Sequence, residues 1–246
     1  MDRMIYTAMT GAKHILEQQA TTAHNLANVT STGFKAQVDS FRAVPVISEG
    51  LATRAFVVDS TVGADFNPGA IQSTSRDLDV AIQGKGWLSI QRADGSEGYT
   101  RNGSLKVSEN GILQTATGLT VLGDGGPISI PPDVAVSVGK DGTISTVANG
   151  AKPGASNVLG RLKLVNPPEA DLVRAEDGLF VTSNGNPAEV DANVHVVGGA
   201  LESSNVNVID AMVSMISLAR QFETQMKLMQ SAENNANKAS QLLSLG

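Results

Sequence analysis

Apolar residues at both ends of the chain recur at alternating intervals of four and three positions. The C-terminal segment keeps this interval over five heptads with nine of eleven positions apolar, and the N-terminal segment keeps it over eight positions, six of them apolar. Such a repeat predicts helices that form a coiled coil. The positions are Met1, Ile5, Ala8, Ala12, Ile15, Gln19, Thr22 and Leu26 at the first end, and Val208, Met212, Met215, Ala219, Phe222, Met226, Met229, Glu233, Ala236, Ser240 and Leu243 at the second.

The residues at one end of each predicted helix indicate where that helix ends or begins. The N-terminal pattern stops at Asn28, and the β-branched and polar residues that follow lead to Gly33, which permits a sharp exit from a helix. Asn207 with Asp210 resembles a capping arrangement and places the second helix start near Asn207. This helix would be about 55 Å long and would overhang a domain built from the middle of the chain. We therefore expect the two ends to pack on each other.

Twelve apolar positions of the two lines form what we call the assembly seam. A second line, Met9, Leu16 and Ala23, flanks the first N-terminal line. Two adjacent apolar lines on one helix predict more than one neighbouring helix. The assembly seam comprises Ile5, Ala8, Ala12, Ile15, Leu26, Val208, Met212, Met215, Ala219, Phe222, Met226 and Met229.

The middle of the chain has a different pattern. All nine prolines lie between Pro45 and Pro187, and 21 of the 25 glycines lie between Gly63 and Gly199. Apolar residues alternate there with polar ones in short runs separated by turn pairs such as Asn-Gly and Asp-Gly, which is typical of an antiparallel all-β domain. The alternating runs include Leu78, Val80 and Ile82, then Val134, Val136 and Val138, then Leu162 with Leu164, and Val194 with Val196.

These patterns together predict an α+β protein. Long N- and C-terminal helices form a coiled coil, and an extended linking segment joins the first helix to the antiparallel all-β middle. The predicted parts are 1–33 for the N-terminal coiled-coil helix, 34–75 for the linking segment, 76–200 for the β domain and 201–246 for the C-terminal coiled-coil helix.

Composition narrows the classes of partner. The formal net charge is −6 and no run rich in lysine or arginine occurs, which argues against binding to nucleic acid. No apolar stretch approaches the length that spans a bilayer, so we expect no direct membrane insertion. The chain has no cysteine, and residues 1–7 lack the layout of a secretory signal. If the protein is exported, we expect a route that needs no cleaved signal.

The sequence gives little support to catalysis. Its three histidines, His14, His24 and His195, are interpreted as solvated surface groups, and no histidine pair shares a helix face. Asp77 and Asp79 form a close carboxylate pair on one predicted strand face, which could bind a cation or serve a glycosidase. The same alternation of acidic and apolar residues is also typical of a strand that exposes one face to solvent. We expect no enzyme activity, no cofactor and no metal site.

Three blocks of sequence resemble one known family. Residues 25–35, in which a helix rich in asparagine and alanine ends in the turn Thr32-Gly33-Phe34-Lys35, are similar to the N-terminal signature of flagellar rod, hook and hook-associated proteins. Residues 201–207 with the following helix resemble the C-terminal signature, and residues 77–88 with 99–103 resemble the core motif of hook and rod proteins. The motif positions are Asn25, Asn28, Thr32, Gly33, Phe34, Lys35, Leu201, Glu202, Ser204, Asn205, Val206 and Asn207.

The resemblance implies a structural role. The chain is most similar to proximal-rod proteins of the bacterial flagellar basal body, and distal-rod or hook-type proteins of the same superfamily are the alternative. It implies a hollow, torque-transmitting rod in the periplasmic space, built with other copies and other rod proteins after delivery by the flagellar export apparatus. A secreted autonomous β-domain adhesin remains the alternative from another class, and it predicts a folded monomer whose ends are dispensable.

Overall fold

Two long helices occupy the ends of the chain in the structure, a computed structural model that describes residues 2–45, 55–148 and 156–244. Helix α1 spans Asp2–Ala27 and helix α2 spans Val208–Ser244. The α1 C-terminus is capped by Asn28, whose side-chain amide donates to the carbonyl of His24 at 2.9 Å. The predicted cap of α2 is confirmed, because Asn207 Oδ1 accepts the backbone N–H of Ile209 at 3.0 Å.

The two helices pack side by side in antiparallel directions. A side chain built at Gly11 would touch Gln225, and Gln18 of α1 borders the same cleft as Leu218 of α2. The position in α2 therefore decreases as the position in α1 increases. Their most buried residues are small or aliphatic: Ala8, Ala12 and Ile15 on α1, and Leu218 and Ala232 on α2.

A long antiparallel hairpin follows α1 within the region predicted as a linking segment. Strand β1 spans Gln37–Pro45 and pairs with strand β2, Ala55–Ala64. Helix α1 lies on this hairpin: the rings of His14 and Phe41 meet edge to face at 5.5 Å, and Thr21 donates a 2.8 Å hydrogen bond to Asp39.

Short antiparallel strands make up the middle of the chain, as predicted. The largest sheet runs in the order β15-β16-β6-β5-β9-β8-β7, with β14 also on β5 and β10 on β9, while β11-β12-β13, β17-β4 and β18-β3 form smaller sheets. A short 3-10 helix covers Glu169–Asp171. The strands are β3 Ile71–Ser73, β4 Val80–Gln83, β5 Trp87–Gln91, β6 Glu97–Thr100, β7 Leu105–Val107, β8 Leu113–Thr115, β9 Thr120–Gly123, β10 Gly126–Pro127, β11 Val134–Val138, β12 Thr143–Ala148, β13 Asn157–Arg161, β14 Leu164–Val165, β15 Leu172–Arg174, β16 Phe180–Thr182, β17 His195–Gly198 and β18 Ala200–Glu202.

An apolar core holds these strands together. Six of the ten residues of the predicted alternating runs are buried in it, and the other four, Leu78, Val134, Val136 and Val138, are partly buried against it. Burial of aliphatic side chains on both sides of the short strands removes apolar area from water, which is the main stabilising term for such a module. The core residues are Val80, Ile82, Leu88, Ile90, Leu105, Leu113, Val121, Ile128, Ile130, Ile144, Leu162, Leu164, Leu179, Val194 and Val196.

The chain forms two compact units. One contains residues 1–28, 37–65 and 206–246, which carry both helices and the β1–β2 hairpin. The other contains residues 29–36 and 66–205, and we call it the β module. The short segments that adjoin the two helices, 29–36 and 201–205, therefore belong to the β module.

Two expectations about polar residues are wrong. Asp79 does not lie on a wet strand face: it is fully buried, and it accepts a 2.7 Å hydrogen bond from Thr74 and pairs with Arg76 at 3.3 Å. Strand β4 is covered on both faces, so the simple alternation does not hold there. His14 is half-buried between Glu17 and Phe41 and is not a solvated group. His24 and His195 are exposed.

Candidate functional site: the junction of the two terminal motifs

The two family motifs meet in the β module. The backbone N–H of Gly33 donates to the carbonyl of Glu202 at 2.7 Å, and the backbone N–H of Asn205 donates to the carbonyl of Phe34 at 3.3 Å. Residues more than 160 positions apart in sequence are thereby hydrogen-bonded side by side. We call this place, formed by residues 32–36, 67–69, 101–102, 174 and 201–205, the motif junction.

A buried cluster of charges lies at the centre of the motif junction. Lys35 and Glu202 are both fully buried, and Lys35 Nζ donates to Glu202 Oε1 at 2.7 Å and to the carbonyl of Asn67 at 2.8 Å. Glu202 Oε1 also accepts the backbone N–H of Gly69 at 2.9 Å. Ionic hydrogen bonds of this length are among the strong ones in proteins, and burial protects them from competing water.

Arg101 completes the cluster from the other side of Glu202. Its Nε lies 3.4 Å from Glu202 Oε2, and its Nη2 donates to the carbonyl of Gly84. Burial lowers the pKa of Arg101 from its ordinary value, and the charge of Glu202 opposes that shift. Glu202 thus connects Lys35 of the N-terminal motif to Arg101, which follows strand β6.

Arg174 holds the N-terminal motif by stacking as well as by hydrogen bonding. Its guanidinium lies 4.9 Å from the ring centres of both Phe34 and Phe180, and it donates to the carbonyl of Lys35 at 2.6 Å. Phe180 in turn packs on Trp87 at 4.7 Å between ring centres. Phe34 is therefore anchored on the β module.

Gly33 permits the close approach on which the motif junction depends. Its φ is +66°, in the left-handed region. A Cβ there would fall on the backbone of Arg101 and Asn102, far inside van der Waals contact. Beside it, Thr32 donates a 2.9 Å hydrogen bond to Asn102 Oδ1. Both the conformation and the space require glycine at this position.

The motif asparagines bond to backbone groups. Asn25 exchanges two hydrogen bonds with the backbone of Gln37, at 2.8 and 2.9 Å. Asn205 Oδ1 accepts the N–H of Ala36 at 2.7 Å, and its amide donates to the carbonyl of Asn67 at 3.0 Å. With Asn28 and Asn207 as helix caps, all four asparagines fix the path of the chain near the helix ends. Leu201, Ser204 and Val206 are half-buried beside them.

The assembly-seam residues divide between buried and exposed positions in the single chain. Ala8, Ala12 and Ile15 are buried, and six others are half-buried: Ile5, Leu26, Met215, Ala219, Phe222 and Met229. Val208, Met212 and Met226 are exposed, at 37%, 50% and 44%. The buried line of α2 includes Leu218 and Ala232, each one residue before a position of the predicted line.

Sequence reasoning missed the two arginines of the motif junction. Arg101 lies inside the block 99–103, which carried the family resemblance, so that block was the available signal. Arg174 lies outside all three blocks, and nothing in its sequence neighbourhood indicates stacking against Phe34.

The motif junction holds together segments that are far apart in the sequence. Among the described residues, no group of three or more histidine or acidic side chains is placed to hold a metal ion. In the same part of the chain, no helix is long and apolar enough to cross a membrane. The charges of the motif junction pair with each other and with the backbone in the protein interior, but Glu202 Oε2, Arg101 Nε and Nη1 and Arg174 Nε make no hydrogen bond there.

Comparison with known proteins gives matches in the β module and at the C-terminal end. The family model described as the flagellar hook protein FlgE/F/G D1 domain matches residues 81–146, and the one described as flagellar basal body rod FlgEFG protein C-terminal matches residues 197–242. The flagellar basal-body rod protein FlgF of Escherichia coli (strain K12) is 47% identical over 251 residues, and the whole of both chains is covered.

The chain belongs to the FlgF family of flagellar basal-body rod proteins. FlgF of Salmonella typhimurium is likewise 47% identical with full coverage of both chains. The rod protein FlgG of Bacillus subtilis is 29% identical and covers 95% of this chain and 96% of its own, so FlgF is the better match. The family resemblance is confirmed, and with it the role of a structural subunit of the flagellar basal-body rod. The relatives are named as rod proteins, which is consistent with a role other than catalysis.

Proposed function

We propose that this FlgF-family chain polymerises through its terminal helices into the hollow, torque-transmitting proximal rod. The observation that carries the proposal is a set of exposed apolar side chains on α2: Ile209, Met212, Val213 and Ile216 are 71%, 50%, 60% and 56% exposed. They follow one another at helical spacing and lie on a different side of α2 from Leu218, which packs within the same unit.

Helix α1 offers a similar surface. Tyr6, Met9 and Leu16 are 61%, 52% and 50% exposed, and Met9 with Leu16 belongs to the second apolar line of the sequence. Contiguous apolar surface of this kind marks protein contacts in soluble chains. When two different surfaces of a subunit form the contact, each copy is rotated relative to the previous one. If successive rotations do not close a ring, the copies form an open helical filament. Other copies of this chain and other rod proteins are the proposed partners.

The parts of the chain have separate roles in this proposal. Helices α1 and α2, within the predicted segments 1–33 and 201–246, provide the coiled coil of the axial core, and the β module, which contains the predicted domain 76–200, forms the outer domain. Most of the predicted linking segment 34–75 is the β1–β2 hairpin, which belongs to the same unit as the helices. Val208, Met212 and Met226 of the assembly seam contact neighbouring copies, since the single chain leaves them exposed. The flagellar export apparatus delivers the subunit, and the rod lies in the periplasmic space.

A single charge on the exposed apolar side of α2 tests the proposal. Ile216→Asp should leave the folded chain intact, because the side chain is already exposed, but it should prevent incorporation into rods. A carboxylate sealed in an apolar contact without a partner costs several kcal/mol. The measurement is flagellation and swarming of a strain that carries the variant as its sole copy, with circular dichroism of the purified chain.

The matched control is Gln221→Asp. Gln221 is exposed on the same helix, and it bonds only weakly to Ser217 at 3.4 Å, so the variant adds the same charge on another side. It should assemble and swarm like the parent. Equal swarming of the Ile216→Asp strain and the parent would rule out α2 as the contact surface.

A further inference from the structure

The chain passes between the two compact units four times, after residues 28, 36, 65 and 205. Three of these passages leave the β module at one place. The backbone N–H of Ala36 donates to Asn205 Oδ1 at 2.7 Å, and the side-chain amide of Asn205 donates to the carbonyl of Asn67 at 3.0 Å. These three passages are therefore joined by the hydrogen bonds of one side chain.

The two motif segments run in the same direction where they meet. The N–H of Gly33 donates to the carbonyl of Glu202 at 2.7 Å, and the N–H of Asn205 donates to the carbonyl of Phe34 at 3.3 Å, so residue numbers increase together along both segments. On its other side, the C-terminal segment includes strand β18, which pairs antiparallel with β3. The C-terminal motif is thus bonded both to the N-terminal motif and to the rest of the β module.

Side chains reinforce the contact between the two motif segments. Lys35 Nζ donates to Glu202 Oε1 at 2.7 Å, and Arg174 donates to the carbonyl of Lys35 at 2.6 Å. Lys35 and Glu202 are buried, so water does not compete for their bond while the fold is intact. The contact therefore combines backbone hydrogen bonds with a shielded ion pair.

This geometry determines how a pull on the chain loads the bonds. The chain before Gly33 leads to α1, and the chain after Asn205 leads to α2. Because the two segments are parallel, a pull on these two ends slides one segment along the other and loads all of their bonds at once. A pull that separates neighbouring strands from one end instead loads their bonds one after another. Bonds that share a load withstand a force that would break them singly.

We propose that the motif junction is a mechanical clamp, which keeps the β module folded when the chain is pulled between its two motif segments. The inference deepens the proposed rod function and rests on it for the source of the load, since a torque-transmitting subunit carries force along its chain. The clamp itself is a property of the single chain. A failure of rod assembly would overturn the proposed function and would leave the clamp measurable.

The absence of cysteine from the sequence allows handles to be attached at chosen residues of the full-length chain. Thr30→Cys with Val208→Cys places the handles just outside the two motif segments, and a pull between them loads the clamp. Asn110→Cys with Ser183→Cys places them in exposed turns after β7 and β16, which lie far apart in the order of the largest sheet. A pull between the second pair separates neighbouring strands.

Optical tweezers measure the unfolding rate of the β module at constant force for each pair, and this rate governs forced unfolding. We expect slower unfolding at the same force along 30–208 than along 110–183. Asn205→Ala removes the side chain that joins the three passages. It should accelerate unfolding along 30–208 at least roughly fivefold, the factor that corresponds to loss of one typical hydrogen bond, and leave the rate along 110–183 unchanged.

Two further variants make the comparison specific. Thr32→Val keeps the shape of the side chain but removes its 2.9 Å hydrogen bond to Asn102, beside Gly33, and it should act in the same direction as Asn205→Ala. Asn193→Ala is the matched control, because it removes an asparagine that bonds to Asp191 in an exposed turn. It should leave the rates along both directions unchanged.

Three results would overturn the proposal. One is a parent chain that unfolds along 30–208 as fast as along 110–183. Another is equal acceleration along both directions in Asn205→Ala and Thr32→Val, which would show that these side chains stabilise the β module without regard to the direction of load. The third is the parent rate along 30–208 in both variants, which would show that other contacts carry the load.

Discussion

At the scale of single residues, the motif junction shows how burial decides the value of an ion pair. Lys35–Glu202 and Lys85–Glu169 have almost the same length, 2.7 and 2.8 Å. The first pair is 0% and 1% exposed at its side chains, whereas the second is 77% and 49% exposed. Water and side-chain motion cancel most of the attraction in the exposed pair. In the buried pair, each charge relies on its partner for solvation.

Removal of Glu202 should therefore be far more damaging than removal of Glu169. Glu202→Gln leaves Lys35 and Arg101 buried without a carboxylate, and we expect a loss of about 3–5 kcal/mol in the free energy of unfolding. The matched variant Glu169→Gln should change it by less than about 1 kcal/mol. Urea unfolding followed by the fluorescence of Trp87, which packs beside this cluster, measures both. Similar losses in the two variants would contradict a decisive role for the buried cluster.

At the scale of secondary-structure elements, local chemistry made the helices predictable. Asn28 and Asn207 predicted the end of α1 and the start of α2 to within a residue. The concentration of glycine and proline in the middle of the chain predicted its β structure. The buried line of α2 was harder to place, since Leu218 and Ala232 lie next to the more apolar line chosen from the sequence. A sequence repeat ranks positions by hydrophobicity, whereas close helix contact also selects small residues such as Ala232.

The motif junction itself could be predicted only in part. Its two motif segments were identified by resemblance, but their contact joins residues 35 and 202, and local patterns carry no information on such distant pairs. Asp79 illustrates the same limit, because its burial depends on Thr74 and Arg76 closing over it. Alternation along one strand cannot indicate what covers its second face.

Two hairpin turns should make the free energy of unfolding depend on pH in the acidic range. Asp94 accepts hydrogen bonds from Ser96, and Asp141 accepts them from Thr143, and these bonds lower the pKa of each carboxyl below its ordinary value. A folded-state pKa below the unfolded one stabilises the fold above the unfolded value, and this contribution is lost as pH falls through the folded value. Asp94→Asn with Asp141→Asn should therefore flatten the acidic part of the stability–pH curve.

Two measurements check this pH dependence of stability: NMR titration of the two carboxyl groups, and urea unfolding between pH 2 and 6. This range brackets the ordinary carboxyl pKa values of about 4. Asp133→Asn is the control, because it removes one carboxyl group from another exposed turn. An unchanged pH curve in the double variant would show that these turns are equally formed with neutral carboxyl groups.

At the scale of the whole molecule, burial is distributed unequally between the two units. The β module has a core of fifteen buried apolar residues drawn from most of its strands. In the helices, the buried apolar residues are Ala8, Ala12, Ile15, Leu218 and Ala232 among those described, and three of these are alanines. Alanine removes little apolar area from water, so the helices gain less from packing in the single chain than the β module does.

This difference predicts how the isolated chain opens. Each ordered residue loses roughly 1–2 kcal/mol of backbone entropy, and thin packing hardly offsets that loss over helices as long as α1 and α2. We expect amide hydrogens of residues 2–27 and 208–244 in purified monomer to exchange much faster than those of β4, β5 and β9, by local opening that leaves the β module intact. In assembled rods, neighbours covering Ile209, Val213 and Ile216 should slow the exchange of α2. Hydrogen exchange with mass spectrometry on monomer and rods measures both. Protection of the helices equal to that of the β module in a confirmed monomer would show that the helix pair is stable by itself, and folding would then not be coupled to assembly.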